Sequence, residues 1–516
     1  MKQKLNIALF CHSLISDWNH GNAHFLRGLM RELVRLGHQV RCYEELGSWS
    51  LTNLMRFEGE RAIEAIDHFR RSYPELDIRF YKASENFQEF LREELKETNT
   101  PGATVAIVIG DRLIYSKAFG ISNIETGTPM TTNMLFRIGS TTKMFTATAL
   151  VTLAQQGKLK LDERVGKYVD GLNSRVGSVT AHQLLSHTAG IIDEAPMYGD
   201  HDDAAMGRTV RGWKDNQLFT EPGKIISYSN PGYWLAGYVV ESISGKPYAD
   251  QLSEMIFKPV GMTSTTFRPT VAMTYPLAQG HNSSAKTPPT VVRPFADNAA
   301  SWPAGSLFTN VLDLSRFVIA LLNNGKLEGN QVLLPEVIAQ ISTPHVSIQS
   351  QPDAKYGYGL MISNYRGLRI VEHGGSRSGY GSVIKMAPDY RFGVIVLGNR
   401  TGVALNKTAD KAMELMLPLK PAPAQNKIDL PMSVSEMNKC VGKYGQRDAT
   451  AEILVRDGKL VLKIGGSELP VRKIGDNRFA AGPSATNQTV EFALVPDSSG
   501  KIEYFQSGLR SQKRIE

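Results

Sequence analysis

Four prolines, Pro418, Pro421, Pro423 and Pro431, cluster around the segment Lys-Pro-Ala-Pro-Ala-Gln, and neither a helix nor a central strand can run through them. Each lacks an amide hydrogen and holds its own φ at about −65°, so residues 418–431 read as a stiff, extended linker. Residues 1–417 ahead of it are too many for one core, which stops growing at roughly 250 to 300 residues, so a second division is required upstream.

The apolar pattern changes character along the chain. Over residues 1–83 strand and helix alternate: 5–10 as a strand, 23–36 as an amphipathic helix closed by Gly37, 39–43 as a strand, a helical stretch around 59–71, and a last strand at 76–81. That order predicts about half of a Rossmann-like parallel sheet. Residues 84–417 open with a helix and a hairpin, 103–109 with 113–118, turning at Gly110-Asp111. A second strand pair, 381–386 with 392–397, turns at Pro388-Asp389. Helical and looped segments lie between, so the expected class is α+β: an antiparallel sheet flanked by helices, with an all-helical region beside it. From 432 to 516 short β-patterned runs alternate with turns at Asp457-Gly458, Gly465-Gly466, Asp476-Asn477 and Ser499-Gly500, which predicts a small antiparallel β-barrel.

The 58 Lys and Arg outnumber the 50 Asp and Glu, but the two signs are interspersed and no nucleic-acid-binding motif is present, so a nucleic-acid partner is not expected. Cys11, Cys42 and Cys440 are widely spaced and form no CxxC pair. Neither a disulfide framework nor a zinc site is expected, and a reducing, cytoplasmic compartment is. The apolar run near the N-terminus breaks at His12 and Ser13, with no small-residue cleavage site before Asp17-Trp-Asn-His20, so it reads as a buried strand rather than a signal peptide. No stretch approaches the roughly 20 apolar residues of a membrane span. Nothing in the sequence sets an oligomeric state.

Chemistry concentrates in three short segments. Ser140-Thr-Thr-Lys143 precedes residues 144–156, good helix formers with apolar positions at helical spacing. A serine at a helix start has the positive end of the dipole behind it, and a residue three places on shares its face, so Lys143 can reach the Ser140 hydroxyl. That hydroxyl is a weak nucleophile near neutral pH and needs a base, which a desolvated lysine can be. Alone, Ser-x-x-Lys is more often a helix cap followed by a solvated lysine. Two further segments stand downstream: Tyr228-Ser229-Asn230 after Glu221-Pro-Gly223, and His373-Gly374-Gly375 just before the last strand pair.

Taken in order with Phe136-Arg-Ile-Gly-Ser-Thr-Thr-Lys143 and Leu184-Leu-Ser-His-Thr-Ala-Gly190, these motifs make residues 84–417 resemble class C β-lactamases, D-alanyl-D-alanine carboxypeptidases and family VIII esterases. The resemblance implies a covalent acyl-enzyme, with Ser140 as nucleophile and Lys143 and Tyr228 as its proton-handling partners. It implies that Asn230 holds the substrate amide or the lysine, and that the backbone N–H groups of Ser140 and Ser376 form an oxyanion hole. His373, Gly374 and Gly375 would line the substrate edge, the glycines letting substrate backbone approach closely. His373 stands where β-lactamases carry the lysine of Lys-Thr-Gly, which removes a permanent cation and counts against efficient β-lactam hydrolysis. The expected partner is a small-molecule ester, amide or β-lactam, with esterase-like hydrolysis leading. The alternative is a catalytically weak penicillin-binding or regulatory protein of the same fold. No cofactor and no metal are expected.

Other motifs read more plainly. Gly375-Ser-Arg-Ser-Gly379 matches the nucleophile elbow and would make Ser378 the nucleophile, but a β-patterned run follows where a helix is needed. His187 reads as holding a helix end, and Asp200-His201-Asp202-Asp203 as a solvated acidic loop rather than a metal site. Residues 10–25 resemble the start of glycosyltransferases built from two Rossmann-like halves, in which Arg27, Arg31 and Arg35 would face phosphates; a solvated helix face is the simpler reading. The C-terminal barrel resembles accessory domains attached to this hydrolase family, which implies that it frames the cleft.

Overall fold

The strand Gly102–Ile109 is buried along its whole length. Its alternate side chains serve two cores, as a two-residue period demands: Ala103, Val105, Ile107 and Ile109 enter one cluster, Ala106 and Val108 the other. It lies within a nine-stranded antiparallel sheet that contains both expected hairpins, Gly102–Ile109 with Arg112–Asn123 and Tyr380–Ala387 with Phe392–Gly398. The structure, a computed structural model, describes residues 4–11, 20–46, 53–56, 64, 68, 71–82, 84–282, 287–422, 429–447, 449–482 and 489–516.

One face of the sheet carries the helical region, including Lys143–Gln155, Asn230–Ser244 and Val311–Leu322. The helix after Ser140 departs from a one-sided pattern: every residue from Lys143 to Val151 is buried, because this helix runs through the middle of that region. The opposite face carries Ser84–Glu97 and Asn406–Met416. The fold is the α+β architecture expected.

Two smaller sheets are appended. Asn6–Cys11, Gln39–Leu46 and Asp77–Lys82 form a three-stranded parallel sheet with Gln39–Leu46 in the middle and the helix His20–Arg35 after the first strand. The helix expected over 59–71 falls largely outside the described residues, as do 12–19 of the glycosyltransferase-like stretch. Arg27 is buried with its guanidinium 5.7 Å from the Tyr73 ring, Arg31 pairs with Glu75 at 3.1 Å, and Arg35 pairs with Glu32 at 2.5 Å. Met30, Val40 and Cys42 join the same apolar cluster as Leu91, Val105 and Met413, so this unit packs on the back of the large sheet.

At the other end, eight strands from Gly442–Gln446 to Arg510–Arg514 close into a barrel around Tyr444, Leu462, Phe479, Phe492 and Phe505. Residues 423–428 of the proline linker lie outside the described residues. Cys11, Cys42 and Cys440 are buried thiols in no disulfide, with Cys11 Sγ 3.3 Å from Cys42 Sγ. No helix among the described residues is long and apolar enough to cross a membrane.

Candidate active site

A single 3-10 turn, Gly139–Thr142, carries Ser140 directly into the helix beginning at Lys143. The turn is pinned from behind by backbone. Gly139 has φ +53°, and a Cβ there would lie 2.5 Å from the Ser376 amide nitrogen. A Cβ on Gly375 would run into the Ile138 carbonyl oxygen. Gly375 is therefore required by the protein's own backbone rather than by an approaching substrate, whereas Gly374 is exposed and has room around it.

Tyr228 and Asn230 are placed by a helix start. Ser229 is the N-cap, its side chain accepting from Gly232 N–H at 3.1 Å, Pro231 occupies the first turn, and Gly245 ends the helix at φ +66°. Asn230 thereby meets Lys143: Nζ lies 2.7 Å from Asn230 Oδ1, 2.7 Å from the Ala304 carbonyl oxygen and 3.3 Å from Ser140 Oγ. Complete burial pushes the Lys143 ammonium well below its ordinary pKa; Asp193 opposes this, while Arg510 and Arg377 add to it. A neutral amine has two N–H groups and one lone pair. The amide and carbonyl oxygens can only accept, so they take two of the lysine's hydrogens, and what faces the Ser140 hydroxyl is a third N–H in the ammonium and the lone pair in the neutral amine.

The Tyr228 ring lies 4.7 Å from Lys143 Nζ, and its hydroxyl is buried without a well-formed hydrogen bond. Burial raises its pKa, against a weaker downward pull from the neighbouring Ser140 hydroxyl. Behind it runs a chain of rings. His187, at φ +59° just past the helix Ala181–Leu185, lies with its ring 4.2 Å from that of Tyr228 and accepts from Ser229 N–H through Nδ1 at 3.1 Å. Its Nε2 then carries the hydrogen and donates to the Tyr356 hydroxyl at 3.2 Å, which donates to His373 Nε2 at 3.3 Å. His373 Nδ1–H ends the chain on the Gly374 carbonyl at 2.6 Å. Burial drives His187 well below its ordinary pKa and His373 to about 3, so both are neutral imidazoles.

Two participants were not visible in the motifs. Asp193 Oδ1 accepts from Asn230 N–H at 2.9 Å and from its Nδ2 at 3.0 Å, which fixes Oδ1 of that amide toward the lysine. Asp193 Oδ2 in turn accepts from Arg510 at 2.6 Å, and the adjacent Leu509 carbonyl accepts from Tyr228 N–H at 2.7 Å. Arg510 and Leu509 belong to the hairpin end of the barrel, so the barrel reaches the residues packed around Lys143. The only local hint to Asp193 is its place three residues past Gly190.

Ser140, Asn230, Trp234, Ser376 and Arg377 line one cavity of about 480 Å³. Lys143, Tyr228 and His373 lie behind that lining. A cavity of about 470 Å³ elsewhere, at Leu360, Val371 and Met386, holds none of these groups. Ser378 sits at a turn between two strands, with no base hydrogen-bonded to it among the described residues. Asp200, Asp202 and Asp203 pair with Arg208 and Arg268, and His201 with Asp297.

An antiparallel sheet backed by helices, with a serine at a helix start against a buried lysine, is the arrangement of a β-lactamase-like serine acyl-transfer fold. The β-lactamase family model matches residues 87–415, and the chain belongs to that family. Penicillin-binding protein 4 of Amycolatopsis lactamdurans is 28% identical over 330 residues, which span 62% of this chain and 86% of that protein. Protein flp of Staphylococcus aureus strain N315 is 25% identical over 331 residues, 61% of this chain but only 63% of flp. Among solved structures, SurE superposes with a TM-score of 0.69 at 21% identity, covering 84% of this chain and 99% of its own, a likeness of fold that takes in more than the hydrolase-like region.

Proposed function

We propose that this chain is a serine hydrolase that cleaves an ester or amide through an acyl-enzyme on Ser140, esterase-like turnover being foremost. The observation that carries this reading is the contact set of Lys143, a fully buried amine whose pKa burial pushes down and whose Nζ lies 3.3 Å from Ser140 Oγ, so that its neutral form would present a lone pair there. In acylation Ser140 Oγ attacks the carbonyl carbon as Lys143 Nζ takes its proton, and the carbonyl oxygen becomes an oxyanion held by the N–H groups of Ser140 and Ser376. As the bond to the leaving group breaks, Tyr228 protonates that group and recovers a proton from Lys143. Water then attacks the Ser140 ester, and the same groups hand the proton back. Lysine is the first acceptor because the burial that lowers its pKa raises that of Tyr228, which keeps its proton at rest.

Asn230 holds the lysine rather than the substrate. Neutral His373 offers no cation, which supports weak β-lactam cleavage at most. The division into 1–83, 84–417, a linker at 418–431 and 432–516 is part of the same reading, supported by the separation of the three-stranded sheet, the nine-stranded sheet and the barrel. Hydrolysis of p-nitrophenyl acetate and butyrate, nitrocefin and a D-alanyl peptide by wild type and Ser140→Ala tests it. Ester cleavage lost in the variant is the expected result. Dominant nitrocefin or peptide cleavage would move the name to β-lactamase or D-peptidase, and β-lactam labelling without turnover would favour a binding protein.

A further inference from the structure

We infer that Cys11 and Cys42 form a modification site, a thiol pair that a hydroperoxide converts into a disulfide clipping together the first two strands of the N-terminal sheet. The inference is independent of the hydrolase reading. The two residues stand 31 positions apart in the chain, yet their sulfurs lie 3.3 Å from each other. The register of the parallel pair explains the approach. Leu9 lies opposite Cys42 and Cys11 opposite Glu44, so both thiols project from one face of neighbouring strands, a diagonal step apart. A disulfide has a sulfur–sulfur distance of about 2.05 Å, so the sulfurs must close by roughly 1.3 Å. Cys11 is the last residue of the edge strand Asn6–Cys11, and that movement therefore falls on a strand end rather than on a paired interior.

The contact also sets the order of events. A hydrogen bond from the Cys11 thiol favours the Cys42 thiolate and lowers its pKa, against the opposing pull of burial and of the Glu44 carboxylate. The Cys42 thiolate attacks one peroxide oxygen, the O–O bond breaks, and Cys42 becomes a sulfenic acid as the other oxygen leaves and takes up a proton. The Cys11 sulfur then attacks the sulfenic sulfur, the S–O bond breaks, and the Cys11 proton departs with the hydroxyl as water. With hydrogen peroxide the sum is two thiols oxidised to one disulfide and one peroxide reduced to two waters. The loop so closed contains the helix His20–Arg35, so the bond locks a whole β-α-β unit that is otherwise held by packing around Met30 and Val40. Cys440 stands apart in the barrel, its thiol donating to the Glu436 carbonyl at 3.3 Å and pushed by burial up to about 11, which makes it an internal control.

Full-length wild type, Cys11→Ser and Cys42→Ser are treated with hydrogen peroxide, blocked with N-ethylmaleimide and digested without reductant for mass spectrometry, melting temperatures beforehand confirming that each variant folds. Wild type is expected to yield the Cys11 and Cys42 peptides joined and separable by dithiothreitol, with Cys440 still carrying the maleimide. Limited proteolysis of the N-terminal unit is expected to slow about tenfold or more on oxidation, to recover with dithiothreitol, and to be unmoved by peroxide in either variant. Should a variant fail to fold, wild type compared before and after dithiothreitol carries the test by itself. No joined peptides from native wild type, joined peptides only in urea, or Cys440 oxidised as readily overturns the site. Joined peptides with unchanged proteolysis overturn its part as a clip.

Discussion

The two appendages attach to the central hydrolase fold in opposite ways. The N-terminal parallel sheet meets it through aliphatic and sulfur-bearing side chains on the back of the large sheet, where Met30 and Val40 share a core with Leu91 and Val105. The C-terminal barrel meets it through directed polar bonds at the site: Arg510 to Asp193, Leu509 to Tyr228, Tyr504 to Thr220, and Gln446 to Ser227. Apolar contact is non-directional and contributes stability, whereas hydrogen bonds specify where an atom sits. The first appendage can therefore change how long the enzyme lasts, and the second how well it works.

The nucleophile and its base set the scale on which either appendage is judged. Ser140→Ala or Lys143→Ala is expected to lower kcat/KM by at least about 10³-fold on the best ester substrate, since the two act as a unit. Next comes the barrel's contribution: Arg510→Ala should cost on the order of 10- to 100-fold in kcat through a misplaced Asn230 and Lys143. It also carries a pH signature. With Lys143 as the proposed base, the rate is expected to fall as pH drops through that group's depressed pKa. Arg510 helps to depress it while Asp193 opposes, so removing Arg510 raises the lysine's pKa and moves the acid limb of the profile to higher pH. A limb that stays put would separate the barrel from the site.

Tyr504→Phe removes one bond farther from the chemistry, to Thr220 at 2.6 Å. It should cost about 1 kcal/mol in denaturant titration and less than about threefold in kcat/KM. On activity, the smallest effect belongs to Met30→Ala. Emptying that fully buried position should destabilise the N-terminal unit by about 2 to 5 kcal/mol, read as earlier proteolysis or melting, with kcat/KM and the acid limb unmoved. A shifted limb in Met30→Ala would break the contrast from the other side.

What was legible in the sequence is what short-range physics specifies. Ser140 and Lys143 are a helical turn apart and the hairpins announce themselves by alternation and turns, so these and the antiparallel sheet follow from local pattern, whereas Tyr228 and Asn230 were named through the resemblance of their segment to a known family. Asp193 and Arg510 could not, because their bond joins positions 317 apart and depends on how the barrel is docked. The state of His373 was equally hidden: the residue was recognisable, but its neutrality comes from the depth of the site and the nearness of Lys143, against the opposing pull of the Gly374 carbonyl. Arg377 was noticed only as the middle of a decoy motif around Ser378.

The backbone contact between the turn at Ile138 and Gly139 and the strand at Gly375 and Ser376 has a consequence for divergence within such a fold. The width of the slot between the Ser140 and Ser376 amides is set by main-chain excluded volume, with no side chain in between to vary. Descendants of this chain can exchange Met197, Trp234 or Arg377 and acquire new substrate preferences while the slot keeps its dimensions. A mutation at Gly139 or Gly375, by contrast, would be lost from a population before any new preference could be selected.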